Sequence, residues 1–307
     1  MDIIRGIHNL PDSWSGCVLT IGNFDGVHRG HQAVLHGMQA SVHALQLPSL
    51  LMTFEPHPAE FFRPEQAPAR LTSLRDKVRI LDNQCLNHML IMQFAKRLAE
   101  LSAETFIAQL LVDTLKVKAL IIGDDFRFGA GRRGDYAMLQ QAGEQHGFTV
   151  TSTESFCLDD ERVSSTAIRS CLHSGDFAKA AEYLGRPYSI SGRVFRGDQR
   201  GRELGFPTAN LPIRRTPSLR GVFAVRIHGL DHEYGGVANL GTRPTVGGLR
   251  TQLEVHLFNF NRSLYNHCLE IEFLTKIRDE RRFDSLGDLQ WQIREDVEQT
   301  RNFFQHI

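Results

Sequence analysis

Two histidines three residues apart stand in a stretch that reads C-V-L-T-I-G-N-F-D-G-V-H-R-G-H-Q from Cys17 to Gln32. A helix is predicted to begin near His28, so His28 and His31 can face one side of its first turn. Unpaired N–H groups and the positive end of the helix dipole favour an anion there, and a nucleotide phosphate is the natural guest. Gly30 between them leaves room for a ligand to approach the backbone. The same spacing also suits a metal-binding pair or two surface histidines.

Three more clusters carry residues fit for chemistry. Gly123-Asp124-Asp125-Phe126-Arg127-Phe128-Gly129 follows an apolar run. Its glycines permit a backbone close to phosphate, and its carboxylates can meet ribose hydroxyls or a magnesium-bound nucleotide, although Gly-Asp pairs are also everyday turn residues. In Val163-Ser164-Ser165-Thr166-Ala167-Ile168-Arg169 one hydroxyl can cap a helix while another contacts pyrophosphate, and Arg169 adds a planar cation for phosphate oxygens. From Gly192 to Leu211, glycines and arginines form a flexible cationic loop ending in Phe206-Pro207-Thr208-Ala209-Asn210. Extended backbone would turn Thr208 and Asn210 to one side, a hydroxyl and an amide oxygen suited to Mg2+; a proline-started edge strand with two solvent-facing polar residues is the other reading. Glu254, in Leu253-Glu254-Val255-His256-Leu257, can serve as general base if it faces inward, and is an ordinary solvent-side glutamate if it does not.

The elements that must position these clusters can be read from periodicity. Val18 to Ile21, Ser49 to Phe54, His88 to Gln93, Ala119 to Gly123 and Phe148 to Thr153 read as strands. Between them, helical spacing runs from about Gly30 to Leu45, Ser73 to Asn83, Ser102 (an N-cap) to Leu115 and Tyr136 to His146, with a helical pair at Ser165 to His173 and Asp176 to Leu184. This alternation predicts a doubly wound parallel sheet, whose ligands lie beyond the carboxyl ends of the strands. The Thr53-Phe54-Glu55-Pro56-His57-Pro58 loop falls there too, its two prolines forbidding helix and fixing an extended loop. After Leu184-Gly185-Arg186-Pro187 the pattern changes to short alternating segments at Tyr188 to Phe195, Val222 to His228, Tyr234 to Asn239, Leu253 to Phe258 and Cys268 to Phe273. These predict a small β-barrel closed by an amphipathic helix over about Ser285 to Gln305, with Asn239 to Thr245 as a Gly/Pro-shaped turn.

Composition bounds the function. Lys plus Arg and Asp plus Glu both total 35, so no basic excess points to nucleic acid or an anionic membrane. The N-terminal residues lack a signal-peptide pattern, and no run approaches the ~18 to 20 apolar residues of a membrane span, so a cytosolic protein is expected. Five scattered cysteines without a C-x-x-C imply reduced thiols rather than disulfides or zinc.

In order, G-N-F-D-G-V-H-R-G-H, T-F-E-P-H-P, G-D-D-F-R-F-G and S-S-T-A-I-R, followed by G-x-x-x-G-R-E-L-G-F-P-T-A-N and L-E-V-H, resemble the bacterial bifunctional riboflavin kinase and FMN adenylyltransferase family, the FAD synthetases, over nearly the whole chain. The resemblance implies a Rossmann-like nucleotidyltransferase domain over 1–186 and a β-barrel kinase domain with a C-terminal helix over 187–307. It implies that riboflavin attacks the γ-phosphate of ATP to give FMN, and that FMN attacks the α-phosphate of a second ATP to give FAD and pyrophosphate. His28 and His31 would stabilise the transferring group, while Gly22, Phe24, Asp25, Gly30, Asp125, Ser164, Thr166 and Arg169 would bind that nucleotide. In the kinase domain Gly192, Gly197, Gly205, Thr208 and Asn210 would bind ATP, with Thr208 and Asn210 holding Mg2+ and Glu254 acting as base. Riboflavin, FMN and ATP are the implied partners, without nucleic acid or membrane; the sequence leaves the oligomeric state open, a weak homo-oligomer included. Phe24, Phe54 and Phe126 are candidates to stack on the flavin, and each also suits the core. Other adenylyltransferases would explain the first half but not G-F-P-T-A-N. A class I aminoacyl-tRNA synthetase would need a K-M-S-K-S-like loop that is absent. A flavin or nucleotide sensor would bind without turnover.

Overall fold

A strand covered on both faces needs an apolar run without polar interruption. Cys17–Ile21 (β2) is buried at all five positions, and Ser49–Glu55 (β3) and Val117–Gly123 (β5) nearly so. With Asp2–Arg5 (β1), His88–Gln93 (β4) and Thr149–Thr153 (β6) they form a six-stranded sheet in the order β1-β4-β3-β2-β5-β6, parallel at every pairing. Periodicity does not reveal β1, since only Ile4 of its four residues is buried. A short antiparallel pair, Cys157–Leu158 (β7) and Glu161–Arg162 (β8), follows the sheet.

The computed structural model describes residues 1–196, 201, 205–213, 217–245 and 248–306, with backbone alone at 242–245 and 248–250. Two units divide the chain: Met1–Pro68 with Lys77–Ser164, and Ala69–Asp76 with Ser165–Ile307.

In the first unit the strand order runs outward from β2 both ways, so the topological switch lies between β2 and β5, where ligands of such sheets bind. Arg29–Leu45 (α1) connects β2 to β3. Pro58 does not exclude helix; it opens one, Pro58–Phe62 (α2). A proline at the first helical position forfeits an N–H that has no partner anyway, and His57 with Glu60 completes a capping box around it. Leu74–Asp82 (α3) precedes β4, and a single turn, Lys96–Ala99 (α4), follows it.

The helix expected from Ser102 does begin on that cap, but it winds as a short α-turn, Ala103–Thr105 (α5), and then as a π-helix, Phe106–Thr114. Leu115 N–H reaches back five residues to Leu110 O at 2.9 Å. Tyr136–His146 (α6) connects β5 to β6. Leu19, Ile21, Met52 and Leu120 of the sheet pack in one cluster with Phe106, Leu110 and Leu139. Each such buried side chain contributes about 1.5–3 kcal/mol relative to exposure.

The second unit is antiparallel. Ser189–Arg193 (β9), Ala209–Ile213 (β10), Gly221–His228 (β11), Tyr234–Thr245 (β12), Gly248–Leu257 (β13) and Cys268–Arg278 (β14) pair in the order β10-β13-β12-β11-β14-β9. The ends meet where Phe195 pairs with Asn210, its N–H donating to Asn210 O at 3.0 Å, which nearly closes a barrel. The turn expected at Asn239–Thr245 is instead the second half of β12, because the partner strand β13 continues the ladder to Thr245↔Gly248.

Ser165–Ser174 (α7) and Phe177–Leu184 (α8) belong to this unit, with the Phe177 ring 5.9 Å from Phe223 and 6.2 Å from Phe273. Leu286–Gln305 (α9), capped by Ser285, docks through a two-pronged pair in which Arg278 Nε and Nη2 donate to the Asp296 carboxylate at 2.8 and 2.7 Å.

Candidate active sites

The turn after β2 is held in an unfavourable backbone shape. Phe24, Gly26 and Val27 have φ of 47°, 86° and 44°. A β-branched residue at positive φ is a genuine outlier, of a kind that clusters at functional sites. Gln32 Nε2 donates to Val27 O at 2.9 Å, and buried Lys77 donates from Nζ to Asn23 O at 2.6 Å.

His28 caps α1: its Nδ1 accepts the His31 N–H at 3.3 Å. The two imidazoles stack with centroids 3.6 Å apart, and Phe24 stacks on His31 at 4.5 Å. Rings stacked this way do not converge two nitrogen lone pairs on one ion, so the metal-pair reading of H-x-x-H loses its geometry. Burial, then the nearby His28 and Lys77 charges, hold the His31 pKa well below 6.5, so its imidazole is neutral. His31 Nδ1 and Asn23 Oδ1 are buried without a hydrogen-bond partner, an arrangement expected where a polar ligand is to complete the site.

Gly30 packs against a neighbouring ring. A Cβ there would lie 3.1 Å from His28 Nδ1, so the glycine makes space for the histidine ring. Gly22 similarly faces the Phe24 ring, 3.0 Å from where its Cβ would be, and donates to Met52 O at 3.0 Å. Phe24 and Asp25 are buried. Phe24 is therefore part of the histidine stack rather than an open platform.

Beyond β5, exposed Asp125 is engaged by Arg162 Nη2 at 3.0 Å, with Asp124 3.6 Å from the same nitrogen. Ser164 ends the first unit, and Thr166 and Arg169 lie on α7 in the second. Arg169 Nε donates to Ala69 O at 2.7 Å.

In the barrel, β10 and β13 place Asn210 directly opposite Glu254. Two cavities meet this pair. One, of about 440 Å³, is lined by Pro207, Thr208, Asn210, Arg262 and Tyr265 among others. The second, of about 580 Å³, is lined by Phe206, Thr208, Glu254, His256, Phe283 and Ile293 among others. Thr208 borders both. Asn210 Nδ2 donates to Thr208 O at 3.3 Å, and Gln252 Nε2 donates to both Asn210 Oδ1 and, at 3.3 Å, Glu254 Oε1.

Thr208, Asn210 and Glu254 offer oxygen ligands only, the chemistry of a hard cation such as Mg2+. Among the described residues no cluster of three or more His, Cys, Asp or Glu could hold a metal by itself, so nucleotide oxygens would have to complete the set. Gly192 lines neither cavity; a Cβ there would meet Leu211 at 3.1 Å, a packing constraint. Gly205 has φ of 87° with open space around it, and Gly197 lies outside the described residues.

Three residues beside these groups escape the motif reading: Lys77 and Gln252 hydrogen-bond to them, and His256 lines the larger cavity. Lys77 lies one turn before the fully buried Leu81, so a lysine on an apolar helix stripe is the available signal. His256 follows Glu254 by two on one strand face, and burial is the main cause that lowers its pKa below 6.5. Gln252 precedes Glu254 by the same interval.

Comparison with known proteins matches the two parts of the chain separately. The FAD synthetase family model matches residues 10–167 and the riboflavin kinase model residues 184–304. A bifunctional riboflavin kinase/FMN adenylyltransferase of Escherichia coli (strain K12) is 52% identical, covering 99% of this chain and 98% of that protein. Its counterpart in Pseudomonas fluorescens is 46% identical over 98% of this chain and 97% of its own length. A crystal structure described as a macrolide-efflux protein from Streptococcus pneumoniae is 26% identical with a TM-score of 0.80, covering 98% of this chain and 99% of that one. The efflux description belongs to that protein; the fold is what the two share. Among the described residues no helix is long and apolar enough to cross a membrane. With both family models matched in order and half its residues shared with proteins of that description along their full length, the chain belongs to the bifunctional riboflavin kinase/FMN adenylyltransferase family.

Proposed function

We propose that the barrel unit phosphorylates riboflavin to FMN and the parallel-sheet unit adenylylates FMN to FAD, with the functional boundary at Arg186/Pro187. The observation that carries the reading is Thr208, a hydroxyl shared by two cavities with Asn210 on one and Glu254 on the other. ATP occupies the smaller cavity. The flavin ring occupies the larger, whose Phe206, Phe283, Leu289 and Ile293 supply apolar wall.

Glu254 then accepts the proton of the ribityl hydroxyl as that oxygen attacks the γ-phosphate. Thr208 and Asn210 would hold Mg2+, which supplies neutralisation of phosphate charge. In the first unit the amino end of α1 receives the phosphates of a second ATP, and His28 and neutral His31 hydrogen-bond the oxygens on which charge develops. Attack by the FMN phosphate releases pyrophosphate, and no protein nucleophile is required. The enzyme works in the cytosol.

The test incubates the chain with riboflavin, ATP and Mg2+ and resolves the flavins over time. FMN preceding FAD is expected. Replacing both His28 and His31 by alanine should stop FAD formation while FMN accumulates, and Glu254→Ala should stop FMN formation while supplied FMN still becomes FAD. Loss of both activities together in folded variants would refute separate sites, and undiminished phosphorylation in Glu254→Ala would remove its role as base.

A further inference from the structure

The Gln252 amide bridges the two groups to which the kinase reading gives the chemistry. Its Nε2 carries two N–H bonds, one directed to Asn210 Oδ1 and the other to Glu254 Oε1. Asn210 is buried and tied from its own amide to Thr208 O, so its oxygen is fixed where Gln252 meets it. Register puts all three side chains on one barrel face, because Asn210 pairs with Glu254 and Gln252 lies two residues before Glu254 on β13. Two oxygens are thereby held around a single donor.

A hydrogen-bond donor and a cation compete for the same lone pairs. An amide N–H2 carries partial positive charge, so it can hold two oxygens together where a cation would. Building on the kinase reading above, we propose that Gln252 is a positioning residue that acts as the placeholder for the divalent cation. It keeps Asn210 and Glu254 converged before nucleotide arrives and must withdraw its amide when the cation–nucleotide complex enters. Each loading event therefore breaks the hydrogen bond to Asn210 Oδ1, and apparent cation affinity is lower by that amount.

The test measures Mn2+ binding to the full chain by electron paramagnetic resonance in the presence of ADP, the coproduct of phosphoryl transfer. Wild type, Gln252→Leu and Asn210→Ala are compared, with Gln252→Met as a second variant of matched length should the leucine variant melt early. Asn210→Ala identifies the Mn2+ that belongs to this site. Gln252→Leu is expected to bind that Mn2+ about tenfold more tightly, because the donor competing for Asn210 Oδ1 is gone. A merely structural glutamine would give the opposite sign, since its removal would loosen the site. Unchanged or weaker Mn2+ binding in folded Gln252 variants, with Asn210→Ala still losing it, overturns the placeholder and leaves the kinase reading intact. Wild-type Mn2+ binding in Asn210→Ala sinks the site assignment, and the placeholder with it.

Discussion

Replacing Gly30 by alanine should raise stability and lower catalysis in the same molecule. Gly30 is the second residue of α1, and an added Cβ would lie 3.1 Å from His28 Nδ1 and 3.2 Å from its Cε1. Carbon contacts relax near 3.5–4.0 Å, so the imidazole must retreat by about 0.5 Å. Its room is limited, with the His31 ring centroid 3.6 Å away and the His31 N–H bonded to its Nδ1. Groups at a reacting centre tolerate displacements of only about 0.5 Å. Complete loss of one transition-state donor costs about 2.7–4 kcal/mol. A displaced donor should cost part of that, which predicts a fall in kcat for FAD formation of roughly 10- to 100-fold with KM for ATP changed far less. Alanine in place of glycine favours a helix by about 1 kcal/mol, partly offset by the new contact. Gly37 in the same helix has nothing within 4 Å of an added methyl, so Gly37→Ala should gain stability and keep its rate. Initial rates from supplied FMN, with unfolding midpoints for both variants, decide the matter. A Gly30→Ala enzyme with kcat within about twofold of wild type would refute the placement of His28 as a rate-determining contact.

Lys77→Met keeps the side chain's bulk but removes the ammonium that anchors Asn23 O; loss of a charged hydrogen bond of about 1.5–3 kcal/mol predicts a lower melting temperature. FAD formation should fall at least about tenfold, with riboflavin phosphorylation retained, as paired assays would show. Because His31 is held below its ordinary pKa, the folded state binds fewer protons than the unfolded chain. Its contribution to stability is thus complete above about pH 6.5 and declines as the pH falls towards the folded value, and urea unfolding from pH 7.5 to 5 should show a shallower slope for His31→Gln. The Cys17 thiol, pushed up to about 12 by burial, should resist iodoacetamide at pH 8 while exposed Cys85, Cys157 and Cys268 react, which peptide mass spectrometry would resolve. Asp296→Ala leaves Arg278 half-buried and unpaired against α9, a change of about 3–5 kcal/mol that should show as early thermal loss of riboflavin phosphorylation.

Much of the architecture is legible because burial writes itself into composition. The runs at Cys17–Ile21 and Val117–Gly123 are apolar because both sheet faces are covered, and Ser102, Asp135 and Ser285 all serve as the helix caps that their side chains suit. Short motifs likewise locate His28, His31, Thr208, Asn210 and Glu254. What periodicity does not convey is partnership. Nothing local distinguishes Gly30 as space for a ring from Gly30 as space for a ligand, or Gly192 as a seat for Leu211 from a phosphate glycine. Asp125 has a loop residue's surroundings in the sequence, yet it is joined to Arg162, thirty-seven positions away. Lys77 and Gln252 carry no motif at all, because their roles arise from the carbonyl and side-chain oxygens they meet in three dimensions. The strand through Asn239–Thr245 escapes periodicity for the same reason: Gly and Pro there are outweighed by a partner strand.

The barrel's seam falls at Asn210. Its carbonyl receives the Phe195 N–H in the isolated bridge between the first and last strands, while its side chain faces the smaller cavity. A single rung is the easiest part of a sheet to unzip, so fraying there would carry off the residue meant to meet nucleotide. If nucleotide fills that cavity as proposed, its occupancy and the integrity of the seam are two descriptions of one equilibrium: nucleotide would fasten the cylinder, and an open cylinder would not retain it. The Phe195 amide is the natural reporter, its solvent exchange slowing as the cavity fills.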